Sequence, residues 1–329
     1  MRSRASSLSR ALATVMAASA AIATPILAQS YPAKPLRVVV GFQAGGGVDM
    51  SARAIGKYLT DALGQSVVVD NKPGAAGNIG ANLVARSAPD GYTLLMSNST
   101  LAIPSLFLNL PFDVLKDFDP VSLVAIGPSV LAVHPSLPVN SIKELIALAK
   151  SKPAQLTYGS GGIGNITHLE MELLNLLVGI EMVHVPYKGS APSVIALLAG
   201  EVQTIFTSIP AGLPQIRSGK MRPIGVSTLQ RSTALPNVPT ISEAGLPGYD
   251  AASWYGLFAA AGTPKNVLAA LSSEIVKIMR APDIRERFAS DGFEPVGYGP
   301  EEFARFLRDE VVKWARVVKM AGIKPDAQQ

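Results

Sequence analysis

A run of β-branched residues that ends in a cluster of glycines is the strongest constraint on how this chain folds. Residues 38–41 read Val-Val-Val-Gly, residues 45–49 read Gly-Gly-Gly-Val-Asp, and apolar residues at helical spacing follow. Glycine lets the backbone turn through positive φ and leaves its N–H groups uncovered. A helix that begins directly after such a turn adds unpaired N–H groups and a partial positive charge. We therefore predict that this stretch binds an anion.

Strand-like and helix-like segments alternate along the first third of the chain. Strands are predicted at residues 36–41, 66–70 and 92–96, and helices at residues 48–63 and 78–86. This alternation is typical of an α/β fold in which helices cover both faces of a parallel sheet. A polar segment, Ser97-Asn98-Ser99-Thr100, follows the third strand. It would lie at the carboxyl ends of the strands, where open α/β sheets bind ligands.

The same alternation restarts after an apolar stretch, residues 118–134, that prolines and glycines break into strands. The later elements are predicted as strands at 156–158, 182–186, 202–208, 222–227 and 254–260, and as helices at 141–151, 165–178, 191–199, 213–218, 267–280, 284–290 and 300–320. A third polar loop, the glycine loop at residues 159–164, stands at the same strand-to-helix position as the first loop.

Two α/β units, each with a glycine loop, predict a two-lobed protein with a ligand cleft between its lobes. The predicted boundaries are residues 29–128 and 255–329 for lobe 1 and residues 129–254 for lobe 2.

The first 28 residues have the order of a secretory signal peptide. Arg2, Arg4 and Arg10 lie in a segment without acids, residues 11–27 are small and apolar, and Ala28 is a suitable cleavage position. We expect a mature protein that is free in the periplasm after cleavage near Ala28. Pro25 argues against the alternative, an uncleaved membrane anchor.

Charge and cysteine content exclude several classes of function. The chain has 29 basic and 24 acidic residues, and three of the basic ones lie in the predicted leader, so the mature chain is close to neutral. Nucleic acid is therefore not an expected partner. The complete absence of cysteine excludes disulfides, thiolate metal sites, a cysteine nucleophile and a lipid-anchored lipoprotein.

Motifs for nucleotide binding and for catalysis are incomplete. Residues 159–164 have the spacing G-x-G-x-x-G, but no acid ends the next predicted strand, as a dinucleotide site requires. No G-x-S-x-G elbow is present. His168 and Glu172 share a helix face, although a third metal ligand is not evident. We expect no cofactor, no metal and no enzymatic activity.

Some polar residues admit two interpretations. Asp49 is either a first-turn acid paired with Arg53 or an acceptor in the cleft. His168 is more consistent with a hydrogen-bonded residue near the third loop than with a metal ligand. Lys188 is more consistent with a solvated loop cation than with a carboxylate clamp. Thr207 offers a hydroxyl at the cleft end of its strand.

The chain resembles the substrate-binding proteins of tripartite tricarboxylate transporter systems, the Bordetella uptake gene (Bug) receptors. The resemblance covers nearly all of the mature chain. It is carried by residues 31–37, 45–49, 71–80, 89–95, 159–161 with 168, 185–189, 235–240 and 243–245. It implies a two-lobed periplasmic receptor with the type II, Venus-flytrap architecture of periplasmic binding proteins. Such a receptor holds a small carboxylated solute, chiefly through backbone N–H groups and hydroxyls.

By matching position, the resemblance also implies a set of ligand-binding residues. They are Phe42, Ala44, Gly45, Gly46 and Asp49 in the first loop, Ser97, Asn98 and Ser99 in the second, Ser160, Gly161, Gly164 and His168 around the third, and Thr207 on a later strand. The implied partners are a di-, tri- or aromatic carboxylate and the subunits of a membrane permease, and the receptor is expected to be a monomer.

Three positions depart from the family pattern. Val48 stands where threonine is frequent, Gln43-Ala44 replaces a form that contains proline, and Thr207 stands where many members have aspartate. The last change removes a negative charge, so we expect a plain carboxylate ligand rather than an amino acid. Two other functions stay open at this point: a secreted α/β hydrolase or transferase, and a receptor that presents its ligand to a sensor kinase.

Overall fold

The computed structural model describes residues 31–103 and 110–321 of the 329-residue chain. The chain separates into two compact units, Met1–Ala33 and Lys34–Gln329. The predicted signal peptide, residues 1–28, lies outside the described residues. The fold below is that of the second unit.

Strands and helices alternate along the described residues as the sequence pattern predicts. The strands are β1 Leu36–Val40, β2 Val67–Asn71, β3 Thr93–Asn98, β4 Phe118–Gly127, β5 Ser129–Val133, β6 Thr157–Ser160, β7 Val183–Pro186, β8 Thr204–Ser208, β9 Arg222–Val226, β10 Ser253–Ala260 and β11 Glu294–Tyr298. The helices are α1 Gly47–Leu63, α2 Asn78–Ala85, α3 Ile142–Ser151, α4 Ile166–Val178, α5 Ser190–Ala199, α6 Ile209–Arg217, α7 Lys265–Arg280, α8 Pro282–Ser290 and α9 Pro300–Ala321.

These strands form two sheets with the same underlying order. The first sheet runs β2-β1-β3-β10-β4-β11 and the second runs β7-β6-β8-β5-β9. In each sheet three parallel strands are followed by one strand that enters from the other lobe. This strand is β10 in the first sheet and β5 in the second. This confirms the predicted two-lobed α/β architecture.

The crossing strands run antiparallel to their neighbours. Strand β10 pairs antiparallel with β3 and β4, and β5 pairs antiparallel with β8 and β9. A strand that enters from the other lobe needs no crossover helix, so its direction is free of the constraint that makes βαβ units parallel.

Local sequence signals account for the ends of two helices. Helix α1 ends at Gly64, which has the left-handed conformation that suits glycine (φ +65°). Helix α3 begins after Ser141, whose Oγ accepts a hydrogen bond from the Glu144 N–H at 3.2 Å. The Glu144 carboxylate in turn accepts from the Asn140 N–H at 2.7 Å, so this end is capped from both sides.

Helix α9 contributes to the hydrophobic cores of both sheets. Phe303 and Leu307 pack in the core that contains Val39, Leu95 and Phe258 of the first sheet. Trp314 and Val318 pack in the core of the second sheet. The predicted boundaries placed this helix in lobe 1 alone; the packing shows it joining both cores, and the exact lobe boundaries stay a prediction.

One buried carboxylate ties this helix to the first sheet. Glu310 Oε2 accepts a hydrogen bond from the indole N–H of Trp254 in β10 at 3.1 Å and from that of Trp314 at 3.0 Å. Lys313 lies 3.2 Å from the other carboxylate oxygen. Glu310 therefore satisfies two buried donors that belong to different cores.

None of the helices within residues 31–103 and 110–321 is long and apolar enough to cross a membrane.

Replacing Glu310 by alanine should destabilise the fold strongly. Two buried indole N–H groups would lose their acceptor, which costs on the order of 3 kcal/mol in free energy of unfolding. Urea denaturation followed by circular dichroism measures this loss. Glu310→Gln retains a carbonyl acceptor and should lose less. Asp309→Ala, at an exposed position on the same helix, is the control; a loss for Glu310→Ala no larger than for the control contradicts the assignment.

Candidate functional site

A small cavity lies where the two sheets face each other. It has a volume of about 20 Å³, enough for about one water molecule. Its lining comes from the carboxyl ends of β1, β3 and β8 and from the starts of β5 and β10. The lining residues are Phe42, Gly46, Gly47, Val48, Asn98, Ser129, Asn165, Ile166, Thr167, Ser190, Ser208, Ser253 and Tyr255. We call it the first cavity; none of the residues that line it carries a charged side chain.

Four helices begin at the first cavity. Helix α1 contributes its first two residues, α4 its start at Ile166 and Thr167, α5 Ser190, and α6 the preceding residue Ser208. The residues that precede α1, α5 and α6 cap no N–H group with a side chain. Each helix N-terminus carries a partial positive charge and unpaired N–H donors. Their convergence makes the cavity electropositive without a lysine or an arginine.

Hydroxyl groups complete the wall of the first cavity. The Oγ atoms of Ser208 and Ser253 are buried and make no hydrogen bond of ordinary geometry within the described part of the chain. The Tyr255 hydroxyl lies so close to Gly47 that any side chain at that position would overlap it. Burial raises the pKa of Tyr255, and the nearby Glu170 adds to the shift. The tyrosine therefore remains a neutral donor.

The Asp49 carboxylate fixes the first loop through hydrogen bonds. Its carboxylate accepts hydrogen bonds from the Gly45 N–H at 2.9 Å, from Arg53 Nε at 3.0 Å and from Asn71 Nδ2 at 3.0 Å. Burial raises the pKa of Asp49, but the bonds from Arg53, Gly45 and Asn71 outweigh it and lower the pKa below its ordinary value. Of the two interpretations that the sequence left open, these contacts are those of the structural one.

In the second loop Asn98 lines the first cavity, whereas Ser97 and Ser99 contact β10 of the first sheet. Asn98 lines the first cavity, and its Oδ1 accepts from the Thr100 N–H at 3.1 Å. Ser99 Oγ accepts from the Trp254 N–H at 3.1 Å, while Ser97 pairs with Gly256 inside the sheet. Thr100 Oγ1 also accepts from the Ile166 N–H at 3.2 Å, which links the two sheets across the cleft.

The third loop rests on a stack of aromatic rings. The ring centroids of His168 and His184 lie 4.1 Å apart, and the Tyr158 ring, nearly parallel to both, lies 4.8 Å from His184 and 6.4 Å from His168. His168 Nδ1 accepts from the Gly164 N–H at 3.2 Å, and Ser160 Oγ lies 2.6 Å from His184 Nε2.

Both histidines of this stack are neutral at pH 7. Burial lowers the pKa of His168 to about 3, with a contribution from His184, and burial lowers the pKa of His184 to about 4. The two rings therefore support the third loop as hydrogen-bonding groups rather than as cations.

A second, larger cavity adjoins the first at Phe42. Its volume is about 210 Å³, and it is lined by Gly41, Phe42, Gly74, Ala75, Ala76, Gly77, Gly161, Gly162, Ile163, Pro186, Tyr187 and Lys188. Residues 74–77 all have positive φ, including Ala75 at +46° and Ala76 at +51°. Alanine adopts this conformation only where the surroundings impose it. We call this space the second cavity.

The structure places four of the predicted site residues on these cavities. Phe42, Gly46 and Asn98 line the first cavity, and Phe42 and Gly161 line the second. Ala44 and Gly45 are exposed at the loop surface. Asp49, Ser97, Ser99, Ser160, Gly164 and His168 hold the loops, and Thr207 is buried in β8 opposite Val130.

Other lining residues were not predicted from the sequence. They include Ser208, Ser253, Tyr255 and the α4 start at Asn165. Asn165 and Ser208 directly precede helices, so a search for N-cap residues after strands would have found them. Within the described residues no cluster of three potential metal ligands occurs, and Glu172 instead accepts from the Tyr158 hydroxyl.

Comparison with known proteins identifies the family. Residues 51–323 match the family model described as "Tripartite tricarboxylate transporter family receptor". The chain belongs to this family. It is a solute-binding receptor, and the alternative of a secreted hydrolase or transferase is wrong.

Similar proteins match this chain over nearly all of their own length. The receptor is 39% identical to Protein BugT of Bordetella pertussis over 94% of this chain and 96% of BugT. The solved structure of R. palustris Rpa4515 with adipate is 36% identical, with a TM-score of 0.88 over 90% of this chain and 100% of that one. The periplasmic binding protein BugD is 34% identical, with a TM-score of 0.86 over the same shares.

The ring stack predicts that the receptor loses stability in acid. His168 and His184 have lower pKa values folded than unfolded, so the unfolded chain binds more protons below pH 6.5. Stability is fully present above that pH and falls toward pH 4, by roughly 1.4 kcal/mol per pH unit for each histidine. His184→Gln should remove one histidine's share of this slope. Urea unfolding at a series of pH values measures it, and an unchanged slope contradicts the prediction.

Proposed function

We propose that this receptor captures a small carboxylate in the first cavity and delivers it to a membrane permease. The observation that carries the proposal is the convergence of four helix N-termini on a cavity with no charged side chain in its lining. Anions bind at helix N-termini because N–H donors and the helix dipole both favour negative charge. The bound adipate of the similar Rpa4515 structure supports a carboxylate ligand.

Neutral donors are sufficient for useful affinity. Hydrogen bonds to a charged group contribute about 1.5–3 kcal/mol each, so a few of them reach micromolar binding. The lining of the first cavity includes no carboxylate that could pair with a ligand amine. We therefore propose a plain carboxylate rather than an amino acid as the ligand.

The proposed function also requires export of the receptor to the periplasm. The basic, apolar and small-residue order of residues 1–28 supports export to the periplasm with cleavage near Ala28, and we propose that the mature receptor acts as a monomer. In cells that lack the receptor, loss of solute uptake would indicate delivery to a permease. Intact uptake with a lost transcriptional response would indicate presentation to a sensor kinase instead.

Carboxylates should stabilise the protein and their amides should not. At a concentration one hundred times the Kd, a ligand adds about 2.7 kcal/mol of stability, which raises the Tm by several degrees. A thermal-shift screen of mono-, di-, tri- and aromatic carboxylates, each paired with its primary amide, tests this at pH 7. An amide that stabilises the protein as much as its acid would contradict an anion site.

Removing the Ser208 or the Ser253 hydroxyl should weaken carboxylate binding without lowering the stability of the fold. Ser208→Ala and Ser253→Ala delete Oγ atoms that make no hydrogen bond of ordinary geometry among residues 31–103 and 110–321, so neither should lower the unfolding free energy. Each should weaken carboxylate binding about tenfold, the effect of losing one good hydrogen bond. Isothermal titration calorimetry measures the binding.

Ser227→Ala is the matched comparison for these variants. Ser227 Oγ accepts from the Ser129 N–H at 2.9 Å, so its loss should lower stability. The opposite result would be a loss of stability in Ser208→Ala and Ser253→Ala as large as in Ser227→Ala, with normal carboxylate binding. In that case the two hydroxyls stabilise the fold and do not bind the ligand.

A further inference from the structure

Glu170 in α4 is a fully buried acid without a counter-ion. Its side chain has an exposed fraction of 0%. Within residues 31–103 and 110–321, neither carboxyl oxygen makes a hydrogen bond of ordinary geometry and no ion pair joins it to a base. An ionised carboxylate in this position would lose its hydration with little in return. The protonated, neutral form is therefore favoured.

The groups closest to Glu170 do not offset its burial. Burial raises the pKa of Glu170, while the hydroxyls of Ser129 and Ser227 and the charge of Lys313 lower it. The balance leaves the pKa well above its ordinary value. The Tyr249 hydroxyl donates to the backbone carbonyl of Glu170 at 2.8 Å, so its proton does not stabilise the carboxylate.

The other titratable groups on the elements packed against α4 have partners of their own. On α9, Lys313 lies 3.2 Å from the Glu310 carboxylate. On β6, the Tyr158 hydroxyl donates to Glu172, and β8 carries no titratable side chain. On β10, Tyr255 stays neutral because burial raises its pKa. The one nearby cation is thus already paired with another acid.

This buried acid lies behind the wall of the first cavity. Ser129 and Tyr255 line the cavity and also interact with Glu170. Helix α4 begins at the same cavity with Ile166 and Thr167, and Glu170 follows Ile166 by about one helical turn. If Glu170 were ionised, its negative charge would oppose the partial positive charge of this helix N-terminus. The charge of Glu170 therefore bears on any anion in the first cavity.

We propose that the receptor binds its carboxylate together with one proton, which Glu170 holds behind the first cavity. The inference rests on the proposed function, because the carboxylate must occupy that cavity. Two negative charges in a region without water repel each other strongly. A bound carboxylate therefore favours the protonated acid, and by linkage the protonated acid strengthens carboxylate binding by the same factor. Affinity is high where Glu170 is protonated and falls as rising pH ionises it.

A pH profile of binding tests the proton. The probe is adipate or, if another carboxylate gives a larger shift in the thermal screen, that carboxylate. Calorimetry is run from about pH 6 to about pH 9.5, where the probe itself is ionised throughout. His168 and His184 titrate below this range, since burial lowers their pKa values to about 3 and about 4. The affinity should fall about tenfold as Glu170 ionises, the equivalent of one pKa unit.

The same titrations in two buffers count the protons. On the falling part of the profile, each bound carboxylate should draw part of a proton from the buffer. The apparent binding enthalpy should then differ between phosphate and Tris, whose enthalpies of ionisation differ. Glu170→Gln keeps the shape of the side chain without its ionisation. This variant should bind the probe equally well across the range and take up no proton, a result that a purely structural role of Glu170 does not produce.

A matched variant and the possible failures complete the test. Glu181→Gln neutralises an exposed glutamate that lines neither cavity, so it should retain the pH profile of the unaltered protein. If Glu170→Gln also retains the profile and the proton uptake, the inference is wrong and the proposed function stands. A flat profile without proton uptake in the unaltered protein contradicts the inference even if the variant does not fold. If the unaltered protein binds no carboxylate at any pH, the proposed function is wrong and the inference falls with it.

Discussion

Four helix N-termini of like partial charge meet at one cavity, and the rest of the structure serves to hold them there. Like poles repel, so the arrangement is unfavourable until an anion lies between them. Helix α1 comes from the first sheet and α4, α5 and α6 from the second. Bringing the sheets together therefore brings the poles together, and a bound carboxylate would change that repulsion into attraction.

No charged side chain belongs to the lining of the first cavity. Asp49, which would repel a carboxylate, points its oxygens to Gly45, Arg53 and Asn71. The histidines beneath the third loop stay neutral because they are buried.

Most strands and helices of this fold could be predicted from local sequence patterns. The contacts between the two lobes could not. Glycine loops and N-caps are visible in the sequence, so β1, α1 and the third loop were expected within a few residues. Strand β11, Glu294–Tyr298, was missed because Pro295 and Gly297 interrupt its pattern at the sheet edge. Thr207, which the resemblance implied for the site, is buried in β8, and its neighbour Ser208 lines the first cavity. Neighbouring residues at a strand end face opposite sides, and which side faces the cleft depends on packing far away in sequence.

The carboxylate of Glu310 gives the protein a built-in optical probe. Trp254 and Trp314 are the only tryptophans in the chain, and both indole N–H groups donate to the same oxygen. All tryptophan emission therefore comes from the junction between the two hydrophobic cores rather than from the ligand cavity. A change in emission on adding a solute would report the relative movement of the two sheets, even for a ligand that has no absorbance of its own.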